Sequence, residues 1–239
     1  MGRSSNRKVW VISLTILTLL ALFGFIRSPV FSLRQIQVVG NREVSTAEIV
    51  QLANVGIGTN IFQISLGTVR NSVALQPLLQ SVAVSRKLPG TLLIKVAERQ
   101  AVAMIPAKDG FVKVDAQGVF IKRDDVWPRQ ALPIISGIQI PAALNLGQVI
   151  NSPSLLQALQ ILHSLPSSLY PQVGEISAVD RDSVNMYTRD GLEIRLGEAD
   201  QATEKFTILR QFLTDKNYKQ YRMGYYVDLS TGQPVLGRR

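Results

Sequence analysis

The sequence predicts an α+β protein: an N-terminal transmembrane helix, a β-α-α-β-β module, and a second, mainly antiparallel β domain with two helices. Three observations carry that prediction. Residues 9–26, VWVISLTILTLLALFGFI, contain no charged side chain. Beyond them the apolar residues switch between a two-residue period and a 3.6-residue period, the signatures of half-buried strands and of amphipathic helices. The stretch SRKLPGTLLIKVAERQ, residues 85–100, places Pro89-Gly90 between two alternating runs, as a hairpin does.

The apolar run comes first. As a helix it is about 27 Å long, close to the roughly 30 Å hydrocarbon core of a bilayer. Arg3, Arg7 and Lys8 precede it and Arg27 follows. A cleaved signal peptide needs a shorter apolar core and a small-x-small site, and Arg27-Ser-Pro-Val-Phe-Ser fits that poorly. The positive-inside rule keeps residues 1–8 in the cytoplasm and exports everything after the 9–27 span, a type II single-pass topology. The 26 basic and 17 acidic residues give a formal charge of +9, but four of the basic ones flank the span. What remains is a mild excess spread along the chain, so no nucleic-acid partner is expected.

Leu33 to Val39 alternates and reads as a strand closed by Gly40-Asn41. Ser45 then caps a helix while Glu48, three residues on, reaches back to the cap; Val44 and Ile49 form its hydrophobic staple, and Asn54 or Gly56 ends it. A second helix is expected from about Ser65 to Leu75, with Phe62, Leu66, Val69 and Val73 on one stripe. In the hairpin, Val82 and Val84 alternate before the turn and Leu92, Ile94 and Val96 after it, Pro89 presets one torsion of the turn, and Gly90 tolerates a positive φ. The result is a three-stranded sheet with helices on one face.

A β-α-α-β-β module just outside a single anchor looks like a POTRA domain. VVGNREVSTAEIVQLANVGIGTNIF followed by VAVSRKLPGTLLIKVAER resembles the FtsQ/DivIB family of bacterial division proteins. The matching positions are Gly40-Asn41, Gly58-Thr59-Asn60, Pro89, Thr91-Leu92, Ile94, Val96 and Glu98-Arg99. The resemblance implies a POTRA-like domain at 31–99, a family-type β domain at 100–230 and a tail at 231–239. From the residues alone, Glu98-Arg99 reads equally as a surface charge pair worth under about 1 kcal/mol or as part of a binding surface.

In the second domain, strands are expected at 101–106, 111–115 and 118–122, with Asp115 as a turn-former. FVKVDAQGVFI and ALPIISG resemble elements of the same family. Asn151 or Ser152 caps a helix that has Pro153 in its first turn and Leu155, Leu159, Leu162 and Leu165 on its buried face. Strands follow at 175–180, 184–188 and 192–196, the last two joined by a turn at 188–191. A helix then begins near Asp200, with Glu198, Asp200 and Glu204 at its positive end and Ala202, Phe206, Leu209 and Leu213 on its stripe. Tyr225 to Ser230 reads as the final strand.

Catalytic machinery is not evident. No GxSxG occurs, and the lone SxxK, Ser5 to Lys8, lies on the cytoplasmic side of the span. Asp124-Asp125 and the pair Asp180 and Asp182 read as solvated turn acids, and Gly56-Ile-Gly58 lacks what a phosphate loop needs. Cysteine is absent, and His163 is the only histidine, so neither a metal nor a cofactor is expected. The expected site is therefore a protein-binding surface. An unpaired edge on the strand Tyr225, Tyr226, Val227, Asp228, Leu229 and Ser230 would offer a template for an incoming strand, with Tyr226 and Asp228 facing outward. The family resemblance implies a scaffold at the division septum. Its partners would be FtsL-like and FtsB/DivIC-like bitopic proteins, and septal peptidoglycan synthase components are further candidates. The alternative is a POTRA-type envelope transport or assembly component that chaperones polypeptides.

Overall fold

In the computed structural model, α1 (Arg3–Ile26) carries the apolar run, and every residue from 9 to 26 is exposed. A helix that must face lipid has that profile. The hydroxyls of Thr15 and Thr18 donate to the carbonyls of Val11 and Leu14, 2.8 Å each, so neither leaves an unsatisfied donor on the apolar surface. The structure describes residues 3–125, 132–141, 143–180, 183–197, 202–214, 224–231 and 233–238. The chain divides into two units, Met1–Glu98 and Arg99–Arg239.

After the span the first unit contains β1 (Gln35–Val39), α2 (Thr46–Ala53), α3 (Leu66–Val73), β2 (Leu79–Lys87) and β3 (Thr91–Glu98). The sheet order is β1-β3-β2, with β1 parallel and β2 antiparallel to the central strand. Buried Leu92, Ile94 and Val96 on β3 meet Ile49 and Ala53 of α2 and Val69 and Val73 of α3 in one core. Complete burial of each large apolar side chain contributes about 1.5–3 kcal/mol. Ser45 caps α2 through its hydroxyl, which accepts the Glu48 N–H at 3.1 Å, and Asn54 ends it in the left-handed conformation at φ 48°.

Three local expectations are corrected. The Glu48 carboxylate does not return to the cap; it accepts the side-chain amide of Gln76, which follows α3. Phe62 is not on the α3 stripe but precedes the helix and is 41% exposed, while Ile61 and Ile64 fill the core in its place. Gly90 has no positive φ. A Cβ there would sit 2.5 Å from the Ser32 carbonyl oxygen, so the glycine serves close backbone approach rather than turn chirality. The hairpin turn, with a cis Leu88-Pro89 bond, stands where the sequence places it.

In the second unit, the described residues form a nine-stranded mixed sheet over two helices. The strands are β4 (Ala103–Ala107), β5 (Gly110–Val114), β6 (Phe120–Asp124), β7 (Ile134–Ser136), β8 (Val173–Asp180), β9 (Ser183–Thr188), β10 (Glu193–Gly197), β11 (Tyr225–Asp228) and β12 (Val235–Arg238). Their order is β12-β11-β10-β9-β8-β7-β4-β5-β6. Neighbours pair antiparallel except β10 with β11, β4 with β7 and β7 with β8. Helix α4 (Pro153–Ser164) is capped by Ser152, and its expected leucines are buried. On α5 (Ala202–Thr214), Phe206 and Leu209 are buried. The expected Glu198 and Asp200 lie outside the described residues, as does Asp182.

Asp115 forms its turn, accepting the amides of Gln117 and Val119 at 2.9 Å each. Asp124 is an ion-pair partner of Lys113 at 2.7 Å. Among the described residues no group of three His, Asp or Glu side chains is placed to hold a metal.

Candidate functional site

The final expected strand is present, but its outer edge is not open. β11 pairs parallel with β10 on one side and antiparallel with β12 on the other, Tyr226 lying opposite Gly237 and Val227 opposite Leu236. On this side the sheet edge among the described residues is therefore β12, inside the stretch read from sequence as a tail. The reason is local. A two-layer unit that leaves β11 at the rim would expose its backbone row, and a short returning segment covers it.

Alternation along β11 sorts its side chains. Val227 is 1% exposed and packs in the core with Ile194 and Leu196 of β10, and Leu229 is buried beyond it. Tyr226 and Asp228 stand on the opposite sheet face, beside Glu193 and Arg195 of β10. The Arg195 guanidinium lies 3.8 Å from the Tyr226 ring centroid, and its Nε donates to Glu193 Oε1 at 2.9 Å. That bond to Glu193 outweighs burial, which acts the other way, and raises the Arg195 pKa, so the guanidinium at the ring stays charged. A Cβ on Gly237 would collide with the Tyr226 ring, so the glycine makes room for the aromatic. Tyr225 is half-buried against the core, with the Arg238 guanidinium 5.8 Å from its centroid.

Asp228 accepts the Ser230 hydroxyl at 2.6 Å and its N–H at 2.9 Å. The hydroxyl bond is the largest cause of a lowered Asp228 pKa; burial opposes it, while the Ser230 N–H and the charge of Arg195 add to it. The sequence thus closes β11 with an acid held ionised over its own turn. On β12, Val235 is 54% and Leu236 39% exposed. Charge fixed by Arg195, a rigid ring and an apolar edge strand can dock a polypeptide.

The remaining motif residues gather elsewhere and hold loops. Gly40 has φ 95° and lies against the Val96 backbone, where any Cβ would clash. Asn41 Nδ2 donates to the Val44 carbonyl at 2.9 Å. Glu98, 8% exposed, accepts the N–H groups of Arg42, Glu43 and Val44 at 2.7, 3.0 and 2.9 Å. Arg99 donates to Asp115 Oδ2 at 2.5 Å and to Gln117 at 3.1 Å. These two residues are not the solvated surface pair that is one reading of the sequence; each is engaged in a part-buried network of its own. Thr91 opens β3 opposite Gln35 and Lys87, just after Pro89. Gly58, at φ 92°, and Asn60 lie in the loop beside the span.

Sequence reasoning missed Glu193, Arg195, Val235, Leu236 and Gly237. A hairpin signal was available for the last three, since Ser-Thr-Gly-Gln-Pro before VLGR is turn chemistry followed by a short apolar run.

Fold and site together define a POTRA-bearing chain with, among the described residues, one candidate membrane helix and a second, sheet-rich unit. The model of the POTRA domain, FtsQ-type, matches residues 31–99, and that of Cell division protein FtsQ/DivIB, C-terminal, matches residues 103–230. The chain belongs to the FtsQ/DivIB family. It is 32% identical over 177 residues to a cell division protein FtsQ of Syntrophotalea carbinolica, covering 72% of this chain and 62% of that one. Against the cell division protein FtsQ of Mycobacterium tuberculosis it is 30% identical over 187 residues, 78% of this chain and 56% of the relative. The chain thus spans less than two thirds of the length of these curated relatives. A solved structure of the major extracytoplasmic domain of DivIB from Geobacillus stearothermophilus aligns at 19% identity, over 46% of this chain and 87% of that one, with a TM-score of 0.34.

Proposed function

We propose that this protein is a scaffold of the division machinery, anchored by residues 9–26 in type II orientation at the septum, and that it binds other bitopic division proteins through its extracytoplasmic units. Family membership supports the division role. The carrying observation for docking is β12, a four-residue strand at the rim of a nine-stranded sheet with Val235 and Leu236 exposed. An incoming strand would pair with the backbone of β12, and its alternate side chains would meet the apolar edge. FtsB/DivIC-like and FtsL-like proteins are the partners this reading assigns, with septal synthase components as further contacts.

In this reading the receiving edge is β12 rather than β11, so substitutions on β12 test it. Proline at Val227 would strike a buried residue paired on both sides, so lost binding would report unfolding. Leu236→Pro and Val235→Lys instead alter the rim. Each is expected to abolish capture of an FtsB/DivIC-like partner by the full chain in nanodiscs, while the circular dichroism of the sheet is unchanged. Undiminished capture by both variants refutes strand addition at this edge.

A further inference from the structure

The apolar helix does not end free. Asn60 Nδ2 donates to the Ile26 carbonyl at 2.9 Å, occupying one of the acceptors that a helix C-terminus leaves without an intrahelical partner. Asn60 Oδ1 accepts the Phe62 N–H at 3.0 Å. From the last turn of α1 the Phe25 ring meets Phe31 edge-on with centroids 5.2 Å apart, and Phe31 meets Phe62 at 5.2 Å. Arg86 donates to the carbonyls of Ile61 and Ile64 at 2.7 Å each, and Ile61 N–H donates to the Phe31 carbonyl at 2.8 Å. The loop from 55 to 64 is thereby tied both to the end of the span and to the first unit's sheet. Yet Val30 is 46%, Ile57 65% and Phe62 41% exposed, although the core of the same unit is close by.

We propose that this loop is an interfacial anchor, with Val30, Ile57 and Phe62 seated in the headgroup region of the lipid leaflet on the extracytoplasmic side. Continuity argues for lipid as the occupant. The exposed Phe62 ring is joined through Phe31 to a ring of the span itself, so its loop starts from the level where α1 leaves hydrocarbon. Amphipathic and aromatic groups are favoured at that level. Arg27, next in sequence after the span, has its guanidinium 4.5 Å from the Phe23 centroid, a cation at the height of lipid phosphates. Docking of this kind holds the first unit against the membrane instead of letting it swing on a tether. It requires that residues 9–26 span the bilayer, as proposed above.

The chain has no cysteine, so a single introduced cysteine carries a nitroxide label without background. Leu17→Cys, Val30→Cys, Ile57→Cys and Leu75→Cys are placed one at a time in the full chain and reconstituted at low protein density in phosphatidylcholine–phosphatidylglycerol vesicles. The ratio of collisions with oxygen to collisions with a nickel chelate then reads immersion. At Val30 and Ile57 the ratio is expected to exceed that at Leu75 several-fold and to fall short of that at Leu17. Phe62→Ser is expected to lower it at Ile57. Val30 and Ile57 ratios equal to that at Leu75, with Leu17 immersed, overturn the docking and leave the anchor intact. A Leu17 label open to nickel overturns both. Shielding at Ile57 that grows with protein density points to a second copy as the occupant and also overturns the proposal.

Discussion

Replacing Glu98 by glutamine tests how the first unit closes its β1–α2 connection. Glu98 stands at the end of β3, and its carboxylate gathers three consecutive backbone amides at 2.7 to 3.0 Å. Hydrogen bonds to a charged group contribute about 1.5–3 kcal/mol each, and a buried amide left without an acceptor costs a similar amount. Glutamine keeps one acceptor oxygen and turns its other end into a donor facing donors. The expected loss is about 2–4 kcal/mol, less than the sum of three bonds because the loop can relax towards water. For a unit of 60–100 residues, at about 4–8 °C per kcal/mol, that lowers the melting temperature by roughly 8–32 °C.

The acid limb supplies a second readout. Burial by itself raises the Glu98 carboxyl, but the amides of Glu43, Arg42 and Val44 and the charge of Arg42 outweigh it, and the net shift is downward. A depressed native pKa gives stability that is complete above the ordinary glutamate value of about 4.3 and is lost as pH falls through the native one. The gap between parent and Glu98→Gln is therefore full at neutral pH and closes on acidification. Denaturant unfolding of the full chain in detergent, read by hydrogen exchange at β1 and β3, measures both. Equal stability at neutral pH, or a gap that persists in strong acid, refutes the reasoning.

Other predictions concern the second unit. Gly237→Ala is expected to push the Tyr226 ring off Arg195, seen as a lost ring-current shift at the Arg195 side chain. Ser230→Ala removes the largest cause of the low Asp228 pKa, so the Asp228 carboxyl should titrate at higher pH by NMR; the stability tied to that ionised acid should fade at a higher pH as the solution is acidified. Arg99→Met leaves buried Asp115 without the guanidinium and should cost about 1–3 kcal/mol in urea unfolding of the second unit.

Much of the architecture is legible because short-range rules govern it. The two-residue period of Val82 to Val96, the Ser45 and Ser152 caps and the apolar stripe of α4 depend only on neighbours along the chain, and each element forms where those rules put it. The motif residues were recognisable too, but not what they do. Nothing near Glu98 in sequence says that its carboxylate will meet residues 42–44, more than fifty positions earlier. That meeting exists because β1 and β3 lie side by side.

Phe62 and β12 mark the same boundary. Helical spacing places Phe62 on the α3 stripe, but spacing cannot say which of Ile61, Phe62 and Ile64 the core has room for. Only packing against the sheet decides that, and it leaves the phenylalanine beside the end of the apolar helix α1. Turn chemistry before residues 235–238 allows a returning strand but does not name its partner; pairing with β11 supplies the hydrogen bonds that make them one. The sequence by itself determined the apolar N-terminal helix, the periodicities and the caps, since these are properties of adjacent residues in a given solvent. Tertiary structure alone decided which edge is open, which acid is buried and which aromatic is exposed, because each depends on groups that only folding brings together.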